Sequence, residues 1–274
     1  MNNNLNNIFY DSMKYPIPTQ DIFFRYKQKN TQLPSIKKGF SRKKKNPHTE
    51  KLCHIVKKHN TILRSIPFVQ HIFLCDGISF NANKETSDID LFFVVKEWYI
   101  RRARLASTLL TRRTWRKRSY KKKTGKCDCI FYITPSHYDL NPIKERDEDT
   151  YLTYRIAHLV PIVSYSPTTI NNIYTKNKRI QNIIPNHPLR QTIFLDLPIY
   201  TQATKTHKII EKLCSGYVWN LTEELIKHIR KPLVIIKKKW RKHQSSSIII
   251  KKNILKFHKD ARKRINNTIQ EATK

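Results

Sequence analysis

The 274-residue chain is 39% hydrophobic and 11% aromatic, enough for a packed core and too much for wholesale disorder. It carries 54 Lys plus Arg against 20 Asp plus Glu, a net charge of +34, which makes a polyanion the expected partner and nucleic acid the first candidate. No apolar run approaches the roughly 18 residues of a membrane span, and Met1-Asn2-Asn3-Asn4 lacks the positive head and apolar stretch of a signal peptide, so the expectation is a cytoplasmic protein without a membrane span.

In chain order, residues 1–48 read as a basic, Asn- and Pro-rich arm, punctuated by Pro16, Pro18, Pro34 and Pro47. A helix is predicted from Thr49, its candidate cap, to about Ser65, on the recurrence of Leu52, Ile55, Val56 and Leu63. After Pro67, Phe68 to Cys75 is a nearly continuous apolar strand, followed by a turn from Asp76 to Asn83. A second strand spans Ile89 to Val95. Glu97 to about Thr114 reads as a helix with Tyr99, Ala103, Ala106 and Leu110 on one stripe, and a third strand runs from Cys127 to Thr134. A short helix covers Tyr151 to Leu159, an irregular Pro-punctuated stretch follows, and helices are predicted over Thr204 to Ile229 and near Leu255 to Ala272. The division is therefore an arm (1–48), a core (49–165) and a mostly helical basic C-terminal region (166–274).

Three acid-free stretches hold much of the charge: 27–49, 98–127 with twelve Lys or Arg, and 225–259. Such runs are either solvated surface or, with Phe40, Trp115, Tyr120 and Trp240 nearby, a groove for a nucleic-acid backbone. The five cysteines are odd in number and read as reduced thiols; Cys127-Asp128-Cys129 lacks the second pair that a tetrahedral zinc site requires.

The segment that carries chemistry is Ser87-Asp88-Ile89-Asp90-Leu91, ten residues beyond Gly77, one of only four glycines. Strand side chains alternate faces, so Asp88 and Asp90 point the same way while Ile89 and Leu91 point into the core. Paired carboxylates repel unless a cation sits between them, and oxygen ligands at this spacing suit Mg²⁺ or Mn²⁺ bound to a nucleoside triphosphate. The following run Leu91-Phe92-Phe93-Val94-Val95 sets the pair at the edge of a buried sheet.

An apolar strand, a Gly-containing turn, about ten residues and then Asp-hydrophobic-Asp-hydrophobic resembles the signature of the DNA polymerase β-type nucleotidyltransferase superfamily. The stretch from Phe68 to about His187 is also similar to uncharacterised bacterial nucleotidyltransferase-domain proteins, sharing Ile78-Ser79-Phe80-Asn81-Ala82, Phe131-Tyr132-Ile133-Thr134 and Ala157-His158-Leu159. The resemblance implies an α+β fold, a mixed sheet with helices packed on one side. It implies metal ligation by Asp88 and Asp90 and a third carboxylate from a later strand. Gly77, Ser79 and Ser87 would bind the nucleotide. The turn departs from the pattern: Asp76 stands where the family has Gly and Gly77 where it has Ser, and a carboxylate there is expected to repel a triphosphate.

Asp128 opens the third strand and is either the third metal ligand and general base or a strand-end polar residue; its parity predicts a face shared with Ile130 and Tyr132 and opposite Cys129 and Phe131. His158 and His187 read as packing residues. Lys176, Lys178 and Arg179 read as phosphate contacts or as part of the general positive charge, and Glu145, Asp147, Glu148 and Asp149 as a solvated loop. The leading expectation is a Mg²⁺-dependent enzyme that moves a nucleoside monophosphate from an NTP to a hydroxyl, with catalytic residues Asp88, Asp90 and Asp128 and a nucleic-acid acceptor. Two alternatives stand beside it: a catalytically impaired member of the fold that binds nucleic acid, and an antitoxin-like minimal nucleotidyltransferase.

Overall fold

The computed structural model describes residues 17–18, 41–42, 46–115, 125–144, 149–166, 168–180, 197–216 and 249–256, together with Asn267 and Glu271. His187, the cluster residues Glu145, Asp147 and Glu148, and the block aromatics Phe40, Tyr120 and Trp240 lie outside them. Of the N-terminal arm, Ile17–Pro18 and Ser41–Arg42 pair as a two-residue parallel ladder.

The first helix, α1 (Pro47–Lys58), begins two residues before the expected cap. Pro47 fits the first helical position, where its missing N–H costs nothing, and Asn46 accepts from His48 N to cap the end. Thr49 instead spends its hydroxyl on Asn83 Oδ1 at 2.9 Å. A break at His59 separates α1 from α2 (Asn60–Arg64), so the single helix expected to Ser65 is two.

Two central strands follow. β1 (Val69–Cys75) runs antiparallel to β2 (Ile89–Val95), and every residue of β2 is buried. A strand covered on both faces reads as a continuous apolar run, which is why Leu91 to Val95 carries no polar alternation. From β2 the chain crosses through α3 (Ile100–Trp115) to β3 (Cys127–Ile133), which pairs with β2 in parallel. The helix α4 (Thr150–Ala157) leads into β4 (Val160–Ser164) beside β1. Further helices among the described residues include α5 (Thr168–Lys176) and α6 (Lys205–Cys214). The two-residue β5 (Ile249–Ile250) and β6 (Ile254–Lys256) form a hairpin against β3, which completes a six-stranded mixed sheet in the order β4-β1-β2-β3-β6-β5.

Three expectations are corrected here. Leu255 and Lys256, expected to open the final helix, are strand residues of the main sheet; further on, Asn267 and Glu271 are helical. The stretch around Pro161, read as irregular, contains β4. Proline is tolerated because β4 is the outermost strand, and Tyr200 bridges its free side through Tyr200 N to Ile162 O and Ser164 N to Tyr200 O. Finally, helices cover both faces of the sheet rather than one. Leu52, Val56, Leu63, Ile100 and Ala103 pack against the back face with Ile89, Leu91 and Phe93, while Tyr151, Leu152, Tyr154, Ile156 and Ile173 pack against the front face with Phe73, Phe92 and Val94.

Gly125 fixes where β3 enters. It takes φ +73°, and its N–H donates to Ser87 O at 3.0 Å while Ile89 N donates to Lys126 O at 2.7 Å. A Cβ there would lie 2.8 Å from Ile55 Cδ1, in a conformation L side chains resist. Gly125→Ala is expected to lower stability by about 1–2 kcal/mol in urea titration.

A carboxylate ties α6 to the core. Glu211 accepts from Phe68 N at 2.8 Å and from Lys96 Nζ at 2.9 Å, and lies 3.3 Å from His207 Nε2. Burial pushes its pKa up, but the hydrogen bonds from His207 and Lys96 outweigh it and hold the group at about 2, against an ordinary 4.5. A depressed carboxyl contributes stability that is full above the unfolded value and is lost as pH falls from about 4.5 through 2. Denaturation midpoints across that window should therefore fall less steeply for Glu211→Gln than for the wild type.

Candidate metal and nucleotide site

The front face of β2 carries Asp90, then Phe92 and Val94, while Ile89, Leu91, Phe93 and Val95 belong to the back-face core. The parallel register sets Asp90 beside Asp128 and Ile89 beside Cys127, so one acidic residue from each strand opens on the same end of the sheet. Asp88 stands just before β2. One ligand atom from each of Asp88, Asp90 and Asp128 lies within 4.8 Å of the others; among the described residues this is the only group of three or more His, Cys, Asp or Glu so placed. The pair expected from spacing and the third carboxylate from the later strand thus converge.

The parity expected for β3 holds only at its start. Cys127 and Cys129 pack with the back face, and Asp128 and Ile130 face front. The register then slips: Leu91 pairs with Cys129 but Phe92 with Phe131. This bulge leaves Ile130 and Phe131 both on the front and turns Tyr132 to the back, where it stacks on Phe93 at 4.7 Å and meets Ser107 Oγ at 2.7 Å. Phe131, not Tyr132, therefore shares the face of Asp128.

Asp90 is the electrostatic centre. It is buried, its Oδ1 has no hydrogen-bond partner among the described residues, and Asp88 and Asp128 are exposed. Burial raises its pKa well above the ordinary carboxylate range; Asp76, Asp88 and Asp128 push the same way and Arg155 opposes them. An orphaned, buried oxygen among hard oxygen donors is what a divalent cation such as Mg²⁺ or Mn²⁺ would satisfy.

The turn after β1 abuts this centre, since Cys75, the last residue of β1, pairs with Asp90. Asp76 takes φ +55°, the left-handed conformation a glycine adopts freely and aspartate tolerates. Its carboxylate is not free: Arg155 from α4 forms an ion pair with Oδ2, and Tyr151 Oη stands 3.5 Å from Oδ1. The repulsive charge expected at this position is thus matched by a buried cation. Gly77 packs against Asn83 so closely that a Cβ would lie 3.1 Å from its Nδ2. Ser79 is 2% exposed and its Oγ donates to Asp76 O at 2.8 Å, so the hydroxyl is directed into the turn. Ser87 is half-buried and accepts from Lys84 N at 2.8 Å. An asparagine network braces the loop: Asn46 N to Asn81 Oδ1 at 2.9 Å and Asn46 Nδ2 to Asn83 O at 2.8 Å.

No family model, no curated protein and no solved structure matches this chain.

The weaker candidates fall elsewhere. His158 is fully buried, with Nδ1 2.8 Å from Tyr154 O and its ring stacked on Phe80 at 4.3 Å, a packing role. Lys176 and Lys178 are exposed, and Arg179 lines a small cleft with Asp149, Leu152 and Asn177 that none of the triad residues touches. Asp149 is not in a solvated loop: at 1% exposure it caps α4 by accepting from Leu152 N at 3.0 Å. Sequence reading missed Arg155 and Tyr151. Their signal was a single cation within the otherwise apolar-faced Thr150–Ala157 helix, a residue type seldom buried without a partner.

Proposed function

We propose that the chain is a divalent-metal-dependent nucleotidyltransferase of the DNA polymerase β type, which moves a nucleoside monophosphate from an NTP to a hydroxyl. The observation that carries this reading is the convergence of Asp88, Asp90 and Asp128 from two adjacent parallel strands at one sheet end. Asp88, Asp90 and Asp128 would hold the ion or ions, which supply charge neutralisation at the transferred phosphoryl group and a more acidic acceptor hydroxyl. Asp128, exposed at the strand entry, takes up the proton of the acceptor hydroxyl. The acceptor oxygen bonds to the α-phosphorus, the bond to the bridging oxygen breaks, and pyrophosphate leaves. Asp90, buried and flanked by carboxylates, fixes the position of the centre. A net charge of +34 favours a nucleic-acid acceptor, because a neutral or cationic acceptor gains nothing from it.

Incubation of the purified chain with each labelled NTP, Mg²⁺ and total RNA tests the proposal. Label should reach RNA in the wild type and be lost in Asp88→Asn and Asp128→Asn; transfer that survives either change sinks the assigned site.

One observation favours a second reading, a nucleic-acid-binding protein of this fold without catalysis. Ser79 directs its hydroxyl inward, and Gly77 supplies none where the family has Ser. That reading predicts no transfer with any NTP, alongside RNA binding that weakens steeply with salt.

A further inference from the structure

The ion pair between Asp76 and Arg155 adjoins the acidic triad, since Asp76 follows Cys75, which pairs with Asp90, and the inference drawn from it rests on the triad holding a divalent ion. Cys75 pairs with Asp90, so Asp76, the next residue, begins its turn beside the central ligand. In its left-handed conformation Asp76 meets α4 rather than solvent. Arg155 reaches it from the front-face layer with its side chain only 3% exposed, its guanidinium 5.9 Å over the Phe131 ring and Nη2 4.0 Å from Cys75 Sγ. Its Nε and Nη1 find no hydrogen-bond partner among the described residues. A guanidinium so deeply buried and so incompletely bonded is a poor stabilising device, since desolvation consumes much of the Coulombic gain. Its one ion pair among the described residues is with Asp76, a carboxylate that adds to the negative charge around Asp90.

We propose that Arg155 is a positioning residue that neutralises Asp76, so that a divalent ion at the triad meets the charge of three carboxylates rather than four. The two charges are matched: remove Asp76 alone, and a buried cation faces Asp90 unopposed, competing with the divalent ion for the same carboxylate. Remove both, and the field at the triad returns close to its original value.

The test is Mn²⁺ affinity of the folded, nucleotide-free protein, measured by calorimetry or by the free-ion resonance signal. Asp76→Asn keeps shape and tolerates the left-handed backbone. It should bind Mn²⁺ about tenfold more weakly than the wild type, as an unscreened unit charge near the site predicts. The double variant Asp76→Asn/Arg155→Met should return to within about threefold of the wild type. A pair that merely holds the fold together would lower the melting temperature of Asp76→Asn and leave its Mn²⁺ affinity unchanged, which would overturn the inference even if the double variant failed to fold. A double variant that folds but binds as weakly as the single one also overturns it. Wild-type protein that binds no Mn²⁺, or Asp90→Asn that binds as tightly as the wild type, removes the triad reading and this inference with it. Wild-type binding that depends on Asp90 but not on Asp76 removes the inference alone.

Discussion

Asp90→Asn is expected to cut the proposed nucleotidyl transfer severely while making the metal-free protein more stable. Transfer should fall by about 10³-fold, as losing about 4 kcal/mol of metal-supplied charge stabilisation in the transition state predicts. The stability gain follows from the site's electrostatics. Asp90 is buried among Asp76, Asp88 and Asp128, and its pKa lies well above the ordinary range, first through burial. A carboxyl with a raised folded-state pKa favours folding fully below its unfolded value near 4, and that contribution is lost as pH rises through the folded value. Above that unfolded value the buried carboxyl is a net burden that asparagine does not impose. Without metal, Asp90→Asn should therefore be more stable than the wild type at pH 8 and converge with it near pH 4. Added Mg²⁺ or Mn²⁺ should raise the melting temperature of the wild type and not that of the variant. Scanning calorimetry at both pH values, with and without the ion, reads all three effects, and a variant less stable than the wild type at pH 8 would mean that Asp90 is a structural carboxylate.

Arg155→Met should cost much more stability than Gly125→Ala, because it strands one half of a buried ion pair. Methionine fills much of the volume, so the loss isolates the charge: the Asp76 carboxylate, whose side chain is 11% exposed, is left without its partner. Breaking a buried pair from one side costs about 3–5 kcal/mol. For a chain of this size that lowers the melting temperature by about 10 °C. The penalty belongs to the orphaned charge rather than to the contact itself. Adding Asp76→Asn should therefore recover much of it, and a double-mutant cycle should report a coupling of about 2–3 kcal/mol. A melting temperature within about 2 °C of the wild type would show that solvent reaches Asp76 and that the pair is of no structural consequence.

How much of this was legible beforehand varied from element to element. The strand Ile89–Val95 and the placement of Asp88 and Asp90 on one face follow from strict alternation against a buried sheet, and both are observed. Asp128 was legible as a candidate but not as a decision, because strand parity says which face a residue takes and not which strand lies beside it. The bulge after Leu91 was invisible, since the extra residue is set by the partner strand's register, and it reversed the expected faces of Phe131 and Tyr132. Pro161 hid an edge strand for a related reason: its missing N–H is harmful only if a neighbour needs it. Of the strands at 249–256, Leu255 and Lys256 fell within the expected final helix and the rest within the basic stretch before it, because so short a segment gains its structure from the sheet edge it joins.

The sequence by itself determined the acidic pair on one face of a buried strand, the Gly77 turn before it and the excess of positive charge, because these rest on local periodicity and composition; the α+β class was implied by the resemblance those residues carry. Only the tertiary structure decided that Asp128 stands beside Asp90 and that the anomalous Asp76 is matched by Arg155, 79 residues away in the chain. Local pattern fixes the direction in which a side chain points; a carboxylate's charge state and partners depend on what the fold brings within a few ångströms of it.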